Sequence, residues 1–330
     1  KMAINEGDSD AMLKYAFMNY EGDGVPIDKE KAIKYYKMSI EKGNSNAMFA
    51  YASILEKSSD IRNNKEESLK YYKMAADEGN SEAMFKYAFM NYNGDGVPID
   101  KEEAIKYIRM SIEKGNSDAM FLYALIHEKG DGIPVDKKEA IKYYKMAADK
   151  GNSSAMYLYA NMLDSGESIA DNKEEAIKYY KMAADEGNLD AMVSYASKYY
   201  MGEDVPVDKE EAIKYFKMAA DEGDPDAMYN YAFMLEHGEG TQVNKEEAIK
   251  YFKMAIDKGN TNAMINYANM LDKGDGIPAD KEEANKYCKM AADKGDVQAM
   301  VIYSNRLYKR DCTPDNKKEA LKYYKMAADK

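Results

Sequence analysis

The sequence predicts an all-α solenoid of nine stacked helix-turn-helix repeats, each 36 residues long. Three observations predict it. The pattern Gly-(Asn/Asp)-x-x-Ala-Met starts at Gly7, Gly43, Gly79, Gly115, Gly151, Gly187, Gly223, Gly259 and Gly295, with no insertion or deletion between them. Within a repeat the apolar residues fall at helical spacing twice, as at Ala83, Met84, Tyr87, Ala88 and Met90, then at Ala104, Ile105, Tyr107, Ile108 and Met110. Residues that start and stop helices recur at fixed places between those runs.

The first helix of each repeat opens after that Gly, where Asn or Asp always follows (Asp8, Asn44, Asn80 through Asp296) and can accept the free N–H groups of a helix start. Asp224 is followed by Pro225, a favourable first helical residue. Between the helices runs Gly-Asp-Gly-Val-Pro-Ile-Asp at 94–100, whose glycines permit unusual dihedrals and whose Pro98 stops the helix from continuing. The second helix is expected to open at Asp28, Asn64, Asp100, Asp136, Asn172, Asp208, Asn244, Asp280 and Asn316. A Glu stands three residues later in every case except Asp28, the spacing of a capping box. The recurring Gly then closes the second helix. Small residues at Ala88 and Ala104 and their equivalents, with Ser68 and Ser304 as exceptions, predict close helix approach, and tyrosines in register with Tyr87 and Tyr107 fill the space between. Each helix is apolar on more than one side, as packing against both its partner and the next repeat requires.

Composition excludes several function classes. A net charge of −12 and only four arginines (Arg62, Arg109, Arg306, Arg310) argue against nucleic-acid binding. No run is apolar enough to span a membrane. Cys288 and Cys312 alone cannot staple the fold; Cys288 falls in a column of Tyr, Phe and Ile and is expected in the core, while Cys312 replaces a turn Gly. Lys1-Met2-Ala3 aligns with the interior of a repeat at Lys73-Met74-Ala75, which predicts one array over 1–330 within a longer chain. Its repeats lie at about 8–43, 44–79, 80–115, 116–151, 152–187, 188–223, 224–259, 260–295 and 296–330. A cytoplasmic location is expected, with the endoplasmic-reticulum lumen and secretion left open.

The repeat Ala-Met-x-x-Tyr-Ala-x-Met, then Gly-Asp-Gly-Val-Pro-x-Asp-Lys-Glu-Glu-Ala-Ile-Lys-Tyr-Tyr-Lys-Met-Ala-Ala-Asp-x-Gly, resembles the Sel1-like repeat, a relative of the tetratricopeptide repeat. Here Tyr-Ala, as at Tyr87-Ala88, replaces the family's Leu-Gly pair, and Tyr replaces the usual second-helix Trp. Some bacterial members carry a disulfide in each repeat, a pattern absent from this chain. The resemblance implies a right-handed α/α superhelix, an adaptor role in assembling protein complexes, and first helices that line the inner face.

On that face two columns vary while their neighbours do not. One runs Lys14, Ala50, Lys86, Leu122, Leu158, Ser194, Asn230, Asn266, Ile302; the other, three residues on, runs Phe17, Ser53, Phe89, Leu125, Asn161, Ser197, Phe233, Asn269, Asn305. Residues three apart share a helix face. The candidate partner site is therefore Lys14, Phe17, Lys86, Phe89, Asn161, Asn230, Phe233, Asn266, Asn269 and Asn305. The asparagines would offer amide pairs to an extended backbone, and the other positions would meet side chains. The alternative for these columns is drift on a solvated face in an Asn-rich chain. A second face, with Lys34, Lys70 and Lys106 and with Glu30, Glu66 and Glu102 four residues earlier, is expected to be a charge-paired outer surface.

No catalytic residue, cofactor or metal is expected. His127 and His237 are expected as exposed helix-end residues with no nucleophile beside them. The run Asn91-x-Asn93-x-Asp95-Gly96-x5-Glu102 mimics a calcium loop in spacing, but Pro98 stands where such a loop pairs in β-structure, and Lys138 replaces Glu102 in the next repeat. The function expected is a non-enzymatic scaffold for other proteins or peptides. The alternative is a rigid spacer in a larger filamentous or cytoskeletal assembly, contacting neighbours through array ends and through the irregular turns at 58–62 and 310–314. Neither terminus carries a polar capping helix, which allows end-to-end self-association.

Overall fold

The sequence period becomes pairs of α-helices. The computed structural model describes residues 7–57, 61–166, 172–310 and 313–330, with the side chains of 61–63 and 309–310 outside the description. Among these residues there are eighteen helices and no strand. By contact they form two compact units, 1–171 and 172–330. The first holds α1 (Ser9–Glu21), α2 (Lys29–Glu41), α3 (Ser45–Lys57), α4 (Ile61–Asp77), α5 (Ser81–Asn93), α6 (Lys101–Glu113), α7 (Ser117–Lys129), α8 (Lys137–Asp149) and α9 (Ser153–Ser165). The second holds α10 (Lys173–Asp185), α11 (Leu189–Met201), α12 (Lys209–Asp221), α13 (Pro225–His237), α14 (Lys245–Asp257), α15 (Thr261–Lys273), α16 (Lys281–Asp293), α17 (Val297–Arg310) and α18 (Pro314–Ala328).

Most helix starts follow the expected residues, but the capping box is only half formed. Asn116 accepts the Ala119 N–H at 2.8 Å, and Asp100 accepts the Glu103 N–H at 3.0 Å. The other half of the capping box does not form, because the Asp100 N–H donates to the Asn91 carbonyl at 2.9 Å. That bond pins the second helix to the end of the first, and Asp28, Asp208 and Asp280 repeat it. The Glu three residues on is left to accept from elsewhere: Tyr231 Oη donates to Glu247 at 3.0 Å, and Lys289 of the preceding repeat reaches Glu319 at 2.8 Å.

Two second helices start earlier than the sequence suggests. α4 begins at Ile61 rather than after Asn64, and α18 begins at Pro314 with Thr313 as its cap, accepting from the Asn316 N–H. Neither turn has the Gly-x-Gly-Val-Pro run. In the last repeat Thr-Pro supplies a cap and a first helical residue sooner; in the second, no Pro holds the chain extended. The turn residues 58–60 and 311–312, including Cys312, and the side chains of Arg62 and Arg310 lie outside the described residues.

Helix pairs approach through fully buried small residues, among them Ala52, Ala88, Ala104, Ala232 and Ala248. Serines take this place without penalty because their hydroxyls find carbonyls: Ser68 Oγ donates to Ala52 O at 2.8 Å and Ser304 Oγ to Met300 O at 2.7 Å. Against these alanines the paired tyrosines pack edge to face, as with Tyr87 and Tyr107 at 4.6 Å and Tyr231 and Tyr251 at 4.8 Å. Cys288 is buried as expected.

Consecutive repeats are tied by polar contacts that the period explains. The cap Asn116 also donates its amide to Glu82 of the preceding repeat at 3.1 Å, and Asn260 does the same to Asp226 at 2.8 Å. Asp lacks that N–H, which accounts for the preference for Asn at most of these caps. Tyr107 Oη donates to Asp77 at 2.5 Å while Lys73 donates to the same hydroxyl at 2.7 Å; Tyr215, Asp185 and Lys181 repeat the triad. Lys198 stands in a column otherwise of Met, Ile or Arg and is buried, and its ammonium meets Asp204 at 3.2 Å. Asp204 has φ +65° where five other repeats have Gly. The two departures compensate each other.

The lysine face is exposed, but its pairing differs from the expectation. Lys106, Lys142 and Lys214 pair with Glu103, Glu139 and Glu211, three residues earlier rather than four. All three carboxylates belong to the glutamates released from the capping box. Such exposed pairs contribute little stability.

Candidate functional site

The variable columns border clefts between consecutive repeats. In the first unit, Leu158 and Asn161 of α9 face Glu128 at the end of α7 and Lys137, Ala140 and Ile141 of α8, around a cavity of about 310 Å³. In the second, Asn230 and Phe233 of α13 face Tyr200 of α11 and Phe216 of α12 around about 240 Å³, with Tyr229 and Met234 completing the wall. The two cavities occupy the same place in the repeat. One is lined partly by charge, the other mainly by aromatic rings.

The remaining candidates differ in what they leave available. Phe17 and Phe89 are 53 % and 42 % exposed, and Lys14, Asn269 and Asn305 are exposed as well. Lys86 and Asn266 are half-buried. Asn266 Nδ2 donates to Tyr229 Oη at 3.3 Å, and Asn305 Oδ1 accepts from Tyr324 Oη at 2.7 Å. One atom of each amide is therefore already engaged.

A residue pair that sequence reading missed recurs beside these columns, and its acid Glu128 lines the first cavity. Tyr72 Oη donates to Glu56 and Tyr144 Oη donates to Glu128, both at 2.7 Å and both across sixteen residues. At Asp272 the corresponding partner is Cys288, and Arg306 takes the carboxylate instead, with Arg306 Nη2 at 2.6 Å from Oδ1. At Glu236 the partner is Phe252, which has no hydroxyl, and Met270 stands where Arg306 does. Among the described residues only His237 Nδ1 approaches the Glu236 carboxylate, at 3.9 Å, although the side chain is 16 % exposed. The signal was available in the sequence as an acid sixteen residues before a Tyr in some repeats and before a Phe here.

Burial holds Glu236 above the usual carboxylate range. Asp275 adds to the shift, and His237, Lys273 and Lys245 oppose it. The folded chain thus keeps a proton that the unfolded chain has already lost, so stability falls as pH rises from the usual carboxylate pKa to the raised folded value, and is level above it. Glu236→Gln should raise stability at pH 7, with the gain vanishing below about pH 4, where folded and unfolded carboxyls are both protonated. Urea melts at the two pH values check this; a loss of stability at pH 7 would contradict it.

The histidines separate. His237 is exposed, stacks on Phe233 at 4.2 Å, and has Nδ1 2.9 Å from the Phe233 carbonyl oxygen. His127 is not an exposed helix-end residue as expected. It lies partly buried, edge-on to Tyr123 at 4.5 Å and parallel to Tyr143, because it replaces the buried Asn91 of an earlier repeat. Asn91 itself is no calcium ligand, since its amide donates to Tyr87 O, and Asp95 is ion-paired with Lys65. Among the described residues no group of three or more His, Cys, Asp or Glu could hold a metal, and no helix is long and apolar enough to cross a membrane.

The family model of the Sel1 repeat matches residues 9–44, 45–80, 81–116, 117–152, 153–188, 189–224, 225–260, 261–296 and 298–330. Among solved structures, a protective antigen of uropathogenic Escherichia coli strains displaying an SLR fold is similar with a TM-score of 0.87 at 22% identity. The match covers 100% of this chain and 70% of that one. A Sel1 repeat protein from Oxalobacter formigenes is similar with a TM-score of 0.63 at 22% identity, covering 95% of this chain and 90% of that one. No curated protein matches the chain.

Proposed function

The chain belongs to the Sel1 repeat family, and from that premise we propose that it is a non-enzymatic scaffold holding segments of partner proteins in the clefts beside its first helices. Repeats of this fold typically mediate protein–protein interactions. The observation that carries the reading is the coincidence of variable columns with recurring cavities: Leu158 with Asn161, and Asn230 with Phe233. Cleft walls made of one small set of positions, repeated with different side chains, suit an extended segment whose residues are read one repeat at a time. Asn161, Asn230 and Asn269 supply amides, while Tyr200, Phe216 and Phe233 supply apolar surface.

Capture from native extract tests the reading against a rigid spacer. The array and an Asn266→Ala, Asn269→Ala, Asn305→Ala variant are compared at equal folded concentration. A scaffold of this kind loses partners in the variant; a spacer that touches its neighbours through turns and ends retains all of them.

A further inference from the structure

We propose that Glu236, on the floor of the cleft between the seventh and eighth repeats, receives a lysine or arginine side chain of a bound partner segment. This rests on the cleft-binding reading above and adds the chemistry of one residue in the partner.

The position of Glu236 follows from the repeat. Glu128, three repeats earlier, lines the cavity shared by Lys137, Ala140, Ile141, Leu158 and Asn161. The same register sets Glu236 with Lys245, Ala248, Ile249, Asn266 and Asn269. Lys245 and Lys273 both act electrostatically on Glu236, as that register requires. By that register the carboxylate belongs with two of the amides assigned to partner recognition.

Three other acids of this column are satisfied from within. Glu56 and Glu128 each accept a phenol, and Asp272 is held by Arg306. Phe252 denies Glu236 the phenol and Met270 denies it the guanidinium, so a largely desolvated carboxylate lacks a hydrogen-bond donor. Neither nearby ammonium fills the gap: Lys245 is ion-paired with Asp275, and Lys273 makes no bond to Glu236. A donor arriving from outside regains what the fold does not supply, and a cationic donor regains most because charge-assisted bonds to a desolvated carboxylate are the strong ones.

The helix that carries the acid also presents an aromatic ring, on the side of the preceding cleft. Phe233 lies one turn before Glu236 and stacks on His237. The chain uses this combination on itself, since Lys209 sits 5.1 Å above the Tyr200 ring while its ammonium meets Glu239 at 3.0 Å. A net charge of −12 also draws a basic segment toward the array.

The test uses the full chain and immobilised ten-residue peptide libraries, each fixed at one central residue (Lys, Arg, Gln, Leu or Glu) and degenerate elsewhere. The chain should be retained about tenfold more by the Lys and Arg libraries than by the Gln or Glu libraries. Glu236→Gln should abolish that preference while retention by the Leu library persists. Phe252→Tyr, which restores the phenol seen at Tyr72 and Tyr144, should abolish it too while leaving the melting temperature equal or higher, so lost folding cannot explain the result. A basic preference that survives both variants, or its absence in the parent chain, overturns the assignment of Glu236. Retention unchanged by Asn266→Ala with Asn269→Ala overturns the cleft-binding reading itself, a result separable from the first two.

Discussion

Gly240→Ala is expected to destabilise the second unit by roughly 3–5 kcal/mol. Gly240 has φ +70°, a conformation in which any side chain is strained, and a Cβ there would fall on the Lys209 carbonyl and within 2.9 Å of the Glu210 nitrogen. The obstacle is backbone at the start of α12, in the preceding repeat, so no rotamer change relieves it. Gly187→Ala is the control: φ is +87° but nothing lies within 4 Å, leaving only the conformational strain of about 1 kcal/mol. Hydrogen exchange of α12 to α14 separates the two variants, because in a repeat array damage stays near its origin and a single global transition is not assured. Equal protection in both would mean that the turn of one repeat does not seat on the next.

Ala232→Leu should cost about 3 kcal/mol through overpacking. Ala232 is fully buried, as is Ala248, which occupies the facing column on α14. In two other repeats the hydroxyl of a serine in one of these columns bonds directly to the carbonyl of the residue in the other, so the backbones there are in contact and cannot admit a branched side chain. The measurement is the urea midpoint of the variant with α13 and α14 protection as the local readout. A midpoint shift smaller than that of Gly187→Ala would show that the helices can separate at little cost.

Much of this fold was legible because its determinants are local and repeated. The glycines at 36-residue intervals, the Asn or Asp caps of the first helices and the buried alanines each read correctly from spacing alone. What was not legible were contacts whose partners come from another repeat or another helix. The capping-box glutamates fit the sequence rule, yet the competing bond from the Asp100 N–H to the Asn91 carbonyl can be seen only once both helices are placed. The starts of α4 and α18 shifted because the rule for Asn64 and Asn316 depended on a Pro and Gly pattern that those two turns lack. At the candidate site the variable columns could be listed from sequence, but the acid and phenol pairing that distinguishes Glu236 from Glu128 needed the sixteen-residue offset to be seen as a contact.

Photocrosslinking most directly tests the claim that partners are held in the clefts. A photoreactive phenylalanine at position 230 places the probe in the aromatic cavity; the same residue at position 243 places it on the exposed turn occupied by Val243. In native extract, position 230 should yield discrete crosslinked partners that are displaced by unlabelled array, and position 243 should yield none. Discrete adducts from position 243 with nothing from position 230 would contradict the account and favour a spacer that meets its neighbours through its turns.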